Sequence, residues 1–277
     1  MELIVIGAGP AYTDRRGAAA ASYLLLAGGP NGGEGAALLL DLGQGSFPNL
    51  ASTLEPSELA AVVVSHLHPD HFIDLVPLRH YLRFEFDPPR RVRVLGPAGL
   101  GDRIDALHSS PGFAAAALDV APLAAGAWRI GPFEVEARLV THTDESYAFR
   151  VSVAGDAGAR GEGAAAGAGS GAAAGAGAAG PGLVYSGDCG RADDLVPLIH
   201  PGDTLLAEAS FGAGPVPDGA AHLDAAAAGR AATAGGAARL LLPHIQMGYD
   251  RGEALAAAQS TFDGPIQLVL EGDRFTV

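Results

Sequence analysis

Lysine is absent from this 277-residue chain, and cysteine occurs once, at Cys189. A single thiol excludes both a disulfide framework and a thiolate metal cluster within one chain. Positive charge is scarce as well: 17 basic residues, all arginine, stand against 31 acidic ones, for a net charge of −14. Capturing nucleic acid on a broad surface needs clustered cations to neutralise phosphates, and this balance argues against it. No apolar run reaches the roughly 18 residues that a membrane span requires. The opening segment, Met1 to Pro10, is too short, too uncharged and too strand-like to be expected to act as a secretory signal. What is present is an apolar-rich chain, 48% hydrophobic and only 17% charged, with the means to form a sizeable core. Composition therefore predicts an acidic protein of a reducing, cytoplasmic compartment, of one large domain or two small ones.

Short aliphatic runs punctuated by glycine predict strands at Leu3–Ile6, Ser22–Leu26, Ala37–Leu40, Ala61–Ser65 and Val92–Leu95. Further strands are expected at Phe133–Leu139, Tyr147–Val153, Leu183–Tyr185, Thr204–Ala207 and Arg239–Leu242. A helix is expected over about Asp70–Arg83, where Leu75, Leu78 and Leu82 recur at three- and four-residue steps. Shorter helices suit Gly99–Leu107 and the alanine-rich Asp224–Thr233. Residues 155–182 are almost wholly glycine and alanine. Lying between two strand-like runs, they read as an overgrown, disordered hairpin loop without chemistry, with a substrate-facing flap as the alternative. Such a loop costs little closure entropy. Strands and helices interleave, so the class is mixed α/β, and no repeat with a period of 20–50 residues is present.

The histidines are not scattered. His66-Leu67-His68-Pro69-Asp70-His71 stands where the apolar run Ala61–Ser65 ends. Strand alternation sends His66 and His68 to one side, and the turn that follows lets Asp70 and His71 add an oxygen and a nitrogen from a helix start. His142, Asp188 and His244 each stand at or just past another predicted strand end, where rigid scaffolds gather functional groups. So many clustered ligands exceed the demand of one tetrahedral ion, which points to two adjacent divalent cations.

In order and local context these residues, with the early Asp41 of LLLDLG, resemble the metallo-β-lactamase superfamily over nearly the whole chain. The resemblance implies a four-layer αββα sandwich formed as a single domain over residues 1–277, with the 155–182 stretch as an insertion. It also implies that His66, His68 and His142 hold one metal, that Asp70, His71 and His244 hold the other, and that Asp188 bridges them. The segments SHLHPDH, YSGDCG, EASF, AHLDAAAAGRAA and LLPHI are similar to the ribonuclease Z and phosphodiesterase branch. LGQGSFPNL, HTDESYAFRV and AQSTFDGPIQ resemble actinobacterial hydrolases described as cyclic-nucleotide phosphodiesterases. That branch implies that Glu208 supports His222, which protonates the leaving group. Asp224 departs from the branch by replacing a hydroxyl residue, and Cys189 by replacing a threonine.

The expected activity is hydrolysis of a small phosphodiester, such as a cyclic nucleotide, through a metal-bridging hydroxide that Asp70 and Asp188 orient. The cofactors expected are two divalent ions, zinc first, with manganese or iron also admitted by the donor set. No membrane or nucleic-acid partner is expected, and a homodimer is allowed. tRNA 3′ processing is the nearest alternative and lacks a basic arm, lactone or ester hydrolysis follows, and a non-catalytic metal-binding scaffold comes last because no ligand is missing. His80, His108 and His200 read as ordinary histidines and Cys189 as a small packing residue. Arg79 and Arg83 read as solvated helix charges, with a phosphate grip as the alternative. Ser146 and Tyr147 stand where they could contact substrate.

Overall fold

The computed structural model describes residues 1–28, 35–153 and 180–277. Its first half runs β1 (Glu2–Gly7), β2 (Ser22–Ala27), β3 (Ala36–Leu40), α1 (Phe47–Thr53), β4 (Leu59–Val63), α2 (Pro69–Phe72), α3 (Leu75–Phe84), β5 (Val92–Gly96), α4 (Leu100–His108) and β6 (Leu118–Pro122). The second runs β7 (Gly126–Ile130), β8 (Phe133–Val140), β9 (Ser146–Val153), β10 (Leu183–Tyr185), β11 (Thr204–Leu206), α5 (Ala225–Gly235), β12 (Arg239–Leu242), α6 (Arg251–Gln259), β13 (Ile266–Leu268) and β14 (Arg274–Thr276). Two seven-stranded sheets result, ordered β14-β1-β2-β3-β4-β5-β6 and β13-β12-β11-β10-β9-β8-β7. In each, antiparallel hairpins give way to a run of parallel strands: β3 to β6 in the first, β10 to β13 in the second.

Side-chain alternation sorts the strands into layers. Leu3 and Val5 of β1, Leu38 and Leu40 of β3, Phe149 and Val151 of β9 and Leu241 of β12 meet in the core between the sheets. Ile4, Ile6, Leu39, Val62 and Val94 face the other way, onto Leu50 of α1, Leu75, Leu78 and Leu82 of α3, and Ile104 of α4. On the second sheet Val184, Leu205, Leu240 and Leu242 pack against Ala228, Ala231 and Ala232 of α5 and Ala254 and Ala258 of α6. The inner parallel strands β3, β4, β10 and β12 are largely apolar on both faces because both faces are covered, whereas β5, β6 and β13 expose Arg93, Asp119 and Gln267. This is the αββα sandwich that the sequence leads one to expect.

Three local expectations need correction. The single helix over 70–83 is two: α2 stops at Phe72 and α3 starts at Leu75. Between them the Asp74 amide donates to the Leu42 carbonyl, and the Asp74 carboxylate accepts from the Phe47 amide at the start of α1. The break is thus held by the loop after β3. Arg79 is no solvated charge: it lies on the same face as Leu75, Leu78 and Leu82 and is buried. Its Nε donates to the Phe113 carbonyl at 2.9 Å, and its guanidinium stacks 4.1 Å from the Phe113 ring centre. Ser146 and Tyr147 do not face substrate either. Both are buried; the Ser146 hydroxyl donates to the Asp188 carbonyl at 2.9 Å, and the Tyr147 hydroxyl bonds the Glu145 carboxylate. Apart from 180–182, the 155–182 insertion falls outside the described residues, while the strands that flank it, β9 and β10, pair antiparallel.

Candidate metal centre

The histidine and carboxylate side chains of the candidate site collect at the carboxyl ends of strands, the end at which open α/β sheets gather their sites. Asp41 follows β3, His66 follows β4, His142 follows β8, Asp188 follows β10, Glu208 follows β11 and His244 follows β12. Two glycines make the close approach feasible. A Cβ on Gly43 would lie 1.9 Å from the Asp70 carbonyl oxygen, so only glycine lets the loop after β3 support α2. Gly187, at φ 56°, turns the chain in the left-handed region directly before Asp188, where a Cβ would meet the Tyr147 carbonyl. His244 takes φ 58° without being glycine, a strained conformation held by its amide's bond to the Ala8 carbonyl at 2.8 Å.

Three groups of side chains among the described residues could hold a metal, and Asp188 belongs to each: His66, His68, His142 and Asp188; Asp70, His71, His244 and Asp188; Glu208, His222 and Asp188. In each group the ligand atoms lie within 4.8 Å of one another. The Asp188 carboxylate divides its oxygens between the first two. Its Oδ2 is 3.6 Å from His66 Nε2, and its Oδ1 is 3.4 Å from His71 Nε2 and 3.7 Å from His244 Nε2. His142 Nε2 and His68 Nδ1 approach to 3.2 Å, and His244 Nε2 lies 3.3 Å from Asp70 Oδ2.

The donor set fits cations. His66 Nε2, His71 Nε2 and Asp188 Oδ1 are buried without any hydrogen-bond partner. A buried polar atom left unpaired costs about 1–3 kcal/mol, so three such atoms facing one another call for a ligand. The outer nitrogens, by contrast, are all engaged: His71 Nδ1 with Asp41 Oδ2 at 2.7 Å, His142 Nδ1 with the Ala221 carbonyl at 2.8 Å, His66 Nδ1 with Ser65 Oγ at 3.1 Å and His244 Nδ1 with Ser210 Oγ at 3.0 Å. A carboxylate or carbonyl only accepts, so Nδ1 of His71 and His142 carries the proton and Nε2 presents its lone pair inward.

Burial and the neighbouring imidazoles push His66 and His68 down, which keeps them neutral. Burial works against charge on His71 and His244 too, but Asp188 together with Asp41 beside His71 and Asp70 beside His244 outweighs it and holds both above the ordinary imidazole value, so a proton competes with a cation for Nε2. Burial likewise pushes Asp188 up, and His244 and His71 more than offset it, so its carboxyl sits well below the usual range.

Beside these groups lies the Glu208–His222 pair, with His222 Nδ1 2.9 Å from Glu208 Oε1. Burial disfavours the imidazolium, yet the hydrogen bond and charge of Glu208 push His222 up to about 9. Glu208 also accepts from the Cys189 and Ser210 amides, tying it to the segment that carries Asp188. Asp224 caps α5 by accepting from the Ala227 amide at 2.6 Å, which is the role a hydroxyl residue would play there. The Cys189 sulfur turns away, toward the Arg191 carbonyl.

All seven expected ligands, with Glu208 and His222, are therefore brought together, while His80, His108 and His200 stay outside the three groups. Sequence reasoning missed Ser65 and Ser210, whose hydroxyls touch ligand histidines, and Tyr12 and Gln246, which line the site's 90 Å³ pocket with His68, Asp70, Asp188, His222 and His244. Serines carry no sequence signal of their own, and Tyr12 sits in a loop far from any ligand in sequence.

A family model described as "Beta-lactamase superfamily domain" matches residues 39–245. The chain belongs to the metallo-β-lactamase superfamily, a family of metallo-hydrolases that includes ribonuclease Z-like members. It is 31% identical over 251 residues to an uncharacterized protein of Mycobacterium leprae, ML1173, covering 87% of this chain and 78% of that one. It is 29% identical over 262 residues to a protein named ribonuclease Z from Salinispora arenicola, covering 84% of each. The crystal structure of the metallo-β-lactamase fold protein YhfI from Bacillus subtilis superposes with a TM-score of 0.78 at 22% identity, covering 99% of this chain and 98% of that one. No helix among the described residues is long and apolar enough to cross a membrane.

Proposed function

We propose that this chain is a dinuclear metal-dependent phosphodiesterase acting on small phosphodiesters such as cyclic nucleotides. His66, His68 and His142 would hold one divalent cation and Asp70, His71 and His244 the other, with Asp188 offering an oxygen to each group. Zinc suits this nitrogen-rich set, and manganese or iron can replace it. Bound cations supply Lewis-acid activation of water and of phosphoryl oxygens. The observation that carries the reading is the split of the Asp188 oxygens between two ligand groups, with Asp188 Oδ1, His66 Nε2 and His71 Nε2 buried and without a hydrogen-bond partner.

The remaining chemistry belongs to side chains. Asp70 and Asp188 present carboxylate oxygens toward the reacting centre, which orients an attacking water and offsets the cations' charge. With Glu208 on its Nδ1, His222 stays protonated at neutral pH and has Nε2–H free for the departing oxygen. A sugar alkoxide leaves poorly unless protonated, so this donor is worth about two to four powers of ten in rate. The net charge of −14 favours a small substrate over a long nucleic acid.

The test is hydrolysis of bis(p-nitrophenyl) phosphate, 3′,5′-cyclic AMP and a precursor tRNA by protein loaded with zinc or manganese. Turnover of both small diesters without the tRNA is expected. Cleavage of the tRNA would replace this reading with the ribonuclease activity that the Salinispora relative's name describes. Inactivity on all three, with two cations bound, would overturn it in favour of lactones or carboxylic esters.

A further inference from the structure

One hydrogen-bond pattern occurs twice in the site, once on each sheet. On the first sheet Asp41 holds His71 directly, Nδ1 to Oδ2 at 2.7 Å, and receives the Ser65 hydroxyl at 2.7 Å; Ser65 Oγ in turn lies 3.1 Å from His66 Nδ1. On the second sheet Glu208 holds His222 directly at 2.9 Å and receives the Ser210 hydroxyl; Ser210 Oγ lies 3.0 Å from His244 Nδ1. Both carboxylates and both serines are buried. Each carboxylate thus grips one imidazole itself and a second through a serine.

The hydroxyl's single proton decides what the second imidazole does. Ionised carboxylates only accept, so each serine must donate to its carboxylate and can offer the neighbouring histidine nothing but a lone pair. Nδ1 of His66 and of His244 must then carry a proton, which leaves Nε2 bare and aimed inward. Without the serine, the proton has a better place. His244 Nε2–H would find Asp70 Oδ2 at 3.3 Å, and His66 Nε2–H would face Asp188 Oδ2 at 3.6 Å. Either shift blocks the nitrogen that the cation needs.

We infer that Ser65 and Ser210 are positioning residues that lock His66 and His244 in the Nδ1–H tautomer, one for each half of the metal centre. The inference rests on the dinuclear reading above and goes beyond it by assigning each cation its own serine, acting on the imidazole that no carboxylate holds directly at Nδ1; Ser65 Oγ also lies 3.4 Å from His71 Nδ1, which Asp41 already holds. Ser210 also lies 3.3 Å from His222 Nδ1, so one hydroxyl touches both a ligand and the proton donor.

The experiment uses metal-free protein prepared by chelation, titrated with zinc against a chromophoric chelator, together with nitrogen-15 NMR of the histidine tautomers. Wild-type protein binds two zinc ions. Ser210→Ala and Ser65→Ala each keep one and bind the other about 10–100-fold more weakly, the usual scale for losing a group that orients a ligand. In metal-free Ser210→Ala, at a pH alkaline enough for His244 to be neutral, His244 shifts from the Nδ1–H to the Nε2–H form while His66 does not; Ser65→Ala gives the reverse. Ser210→Thr, which retains the hydroxyl, restores both the affinity and the tautomer. Alanine variants that stay folded, bind both ions as tightly as wild type and keep the Nδ1–H tautomers would overturn the inference. Wild-type protein that binds no zinc would instead defeat the dinuclear reading, with the tautomer measurement still deciding the role of the serines.

Discussion

Replacing Asp41 with Asn changes one atom and removes one charge, at a carboxylate that is completely buried and receives four hydrogen bonds. Oδ1 accepts from the Ser65 amide at 2.6 Å; Oδ2 accepts from the Ser65 hydroxyl, His71 Nδ1 and the Tyr185 hydroxyl, each at 2.7 Å. Asp41 also sits at φ 58°, a conformation that Asn adopts as readily as Asp, so the backbone is not newly strained. If the amide oxygen keeps the Ser65 amide, the NH₂ group points at three former donors. The two hydroxyls can rotate to accept. His71 can accept at Nδ1 only by moving its proton to Nε2, which faces Asp188 Oδ1 at 3.4 Å. A hydrogen bond to a charged group contributes about 1.5–3 kcal/mol, so losing this one and weakening its neighbours should cost metal-free protein about 2–4 kcal/mol. At about 2–4 °C per kcal/mol for a chain of this size, Tm falls by roughly 5–15 °C. Affinity for the cation of the Asp70, His71 and His244 group should fall about 10–100-fold. Differential scanning calorimetry and zinc competition measure the two effects. Tyr185→Phe is the control: it removes one of the four donors, costs about 1 kcal/mol and spares the metal. A folded Asp41→Asn variant with wild-type zinc affinity would refute the argument that Asp41 sets the His71 tautomer.

Further outcomes follow from the same geometry. Glu208 raises the His222 pKa, so activity that needs protonated His222 falls as pH rises through that value; Glu208→Gln should move this alkaline limb toward lower pH, and a profile that does not move would count against the pair. His222→Ala should keep both cations and slow esters with poor leaving groups most, by about two to four powers of ten, measured across a series of leaving groups. Arg150, 5% exposed, pairs through both Nε and an outer nitrogen with fully buried Asp203; Arg150→Ala should cost about 3–5 kcal/mol in urea unfolding while leaving zinc stoichiometry unchanged. Tyr12 is 56% exposed and lines the pocket; on the proposed cyclic-nucleotide activity it stacks on the base, and Tyr12→Ala should raise KM for cyclic AMP about tenfold, equivalent to ~1.4 kcal/mol, with kcat nearly unchanged.

Much of the site is legible from chain order. His66, His68, Asp70 and His71 form a dense local pattern, and His142, Asp188 and His244 each follow an apolar run that ends in a turn, so type and context suffice to nominate them. The same local logic misjudges Arg79, because a charge within a helical pattern is ordinarily solvated; the Phe113 ring and carbonyl that bury it come from 34 residues away. It also passes over the break at Asp74, whose partners Leu42 and Phe47 belong to a different loop. Ser146 and Tyr147 stand next to ligand-bearing segments yet turn inward, because β9 is covered on both faces.

The sequence by itself determined the layers and the ligand types. Near-continuous aliphatic runs in the inner parallel strands require cover on both faces, and histidine and aspartate at strand ends supply nitrogen and oxygen donors wherever those ends meet. Only the tertiary structure decided which oxygen of Asp188 faces which group, that Asp41 and Glu208 each control two imidazoles, and that Ser65 and Ser210 mediate two of those four contacts. Those facts depend on separations under 4 Å between residues up to 122 positions apart, as His66 is from Asp188. A proton's place on an imidazole is set by the atom across from it, and no pattern along the chain says which atom that will be.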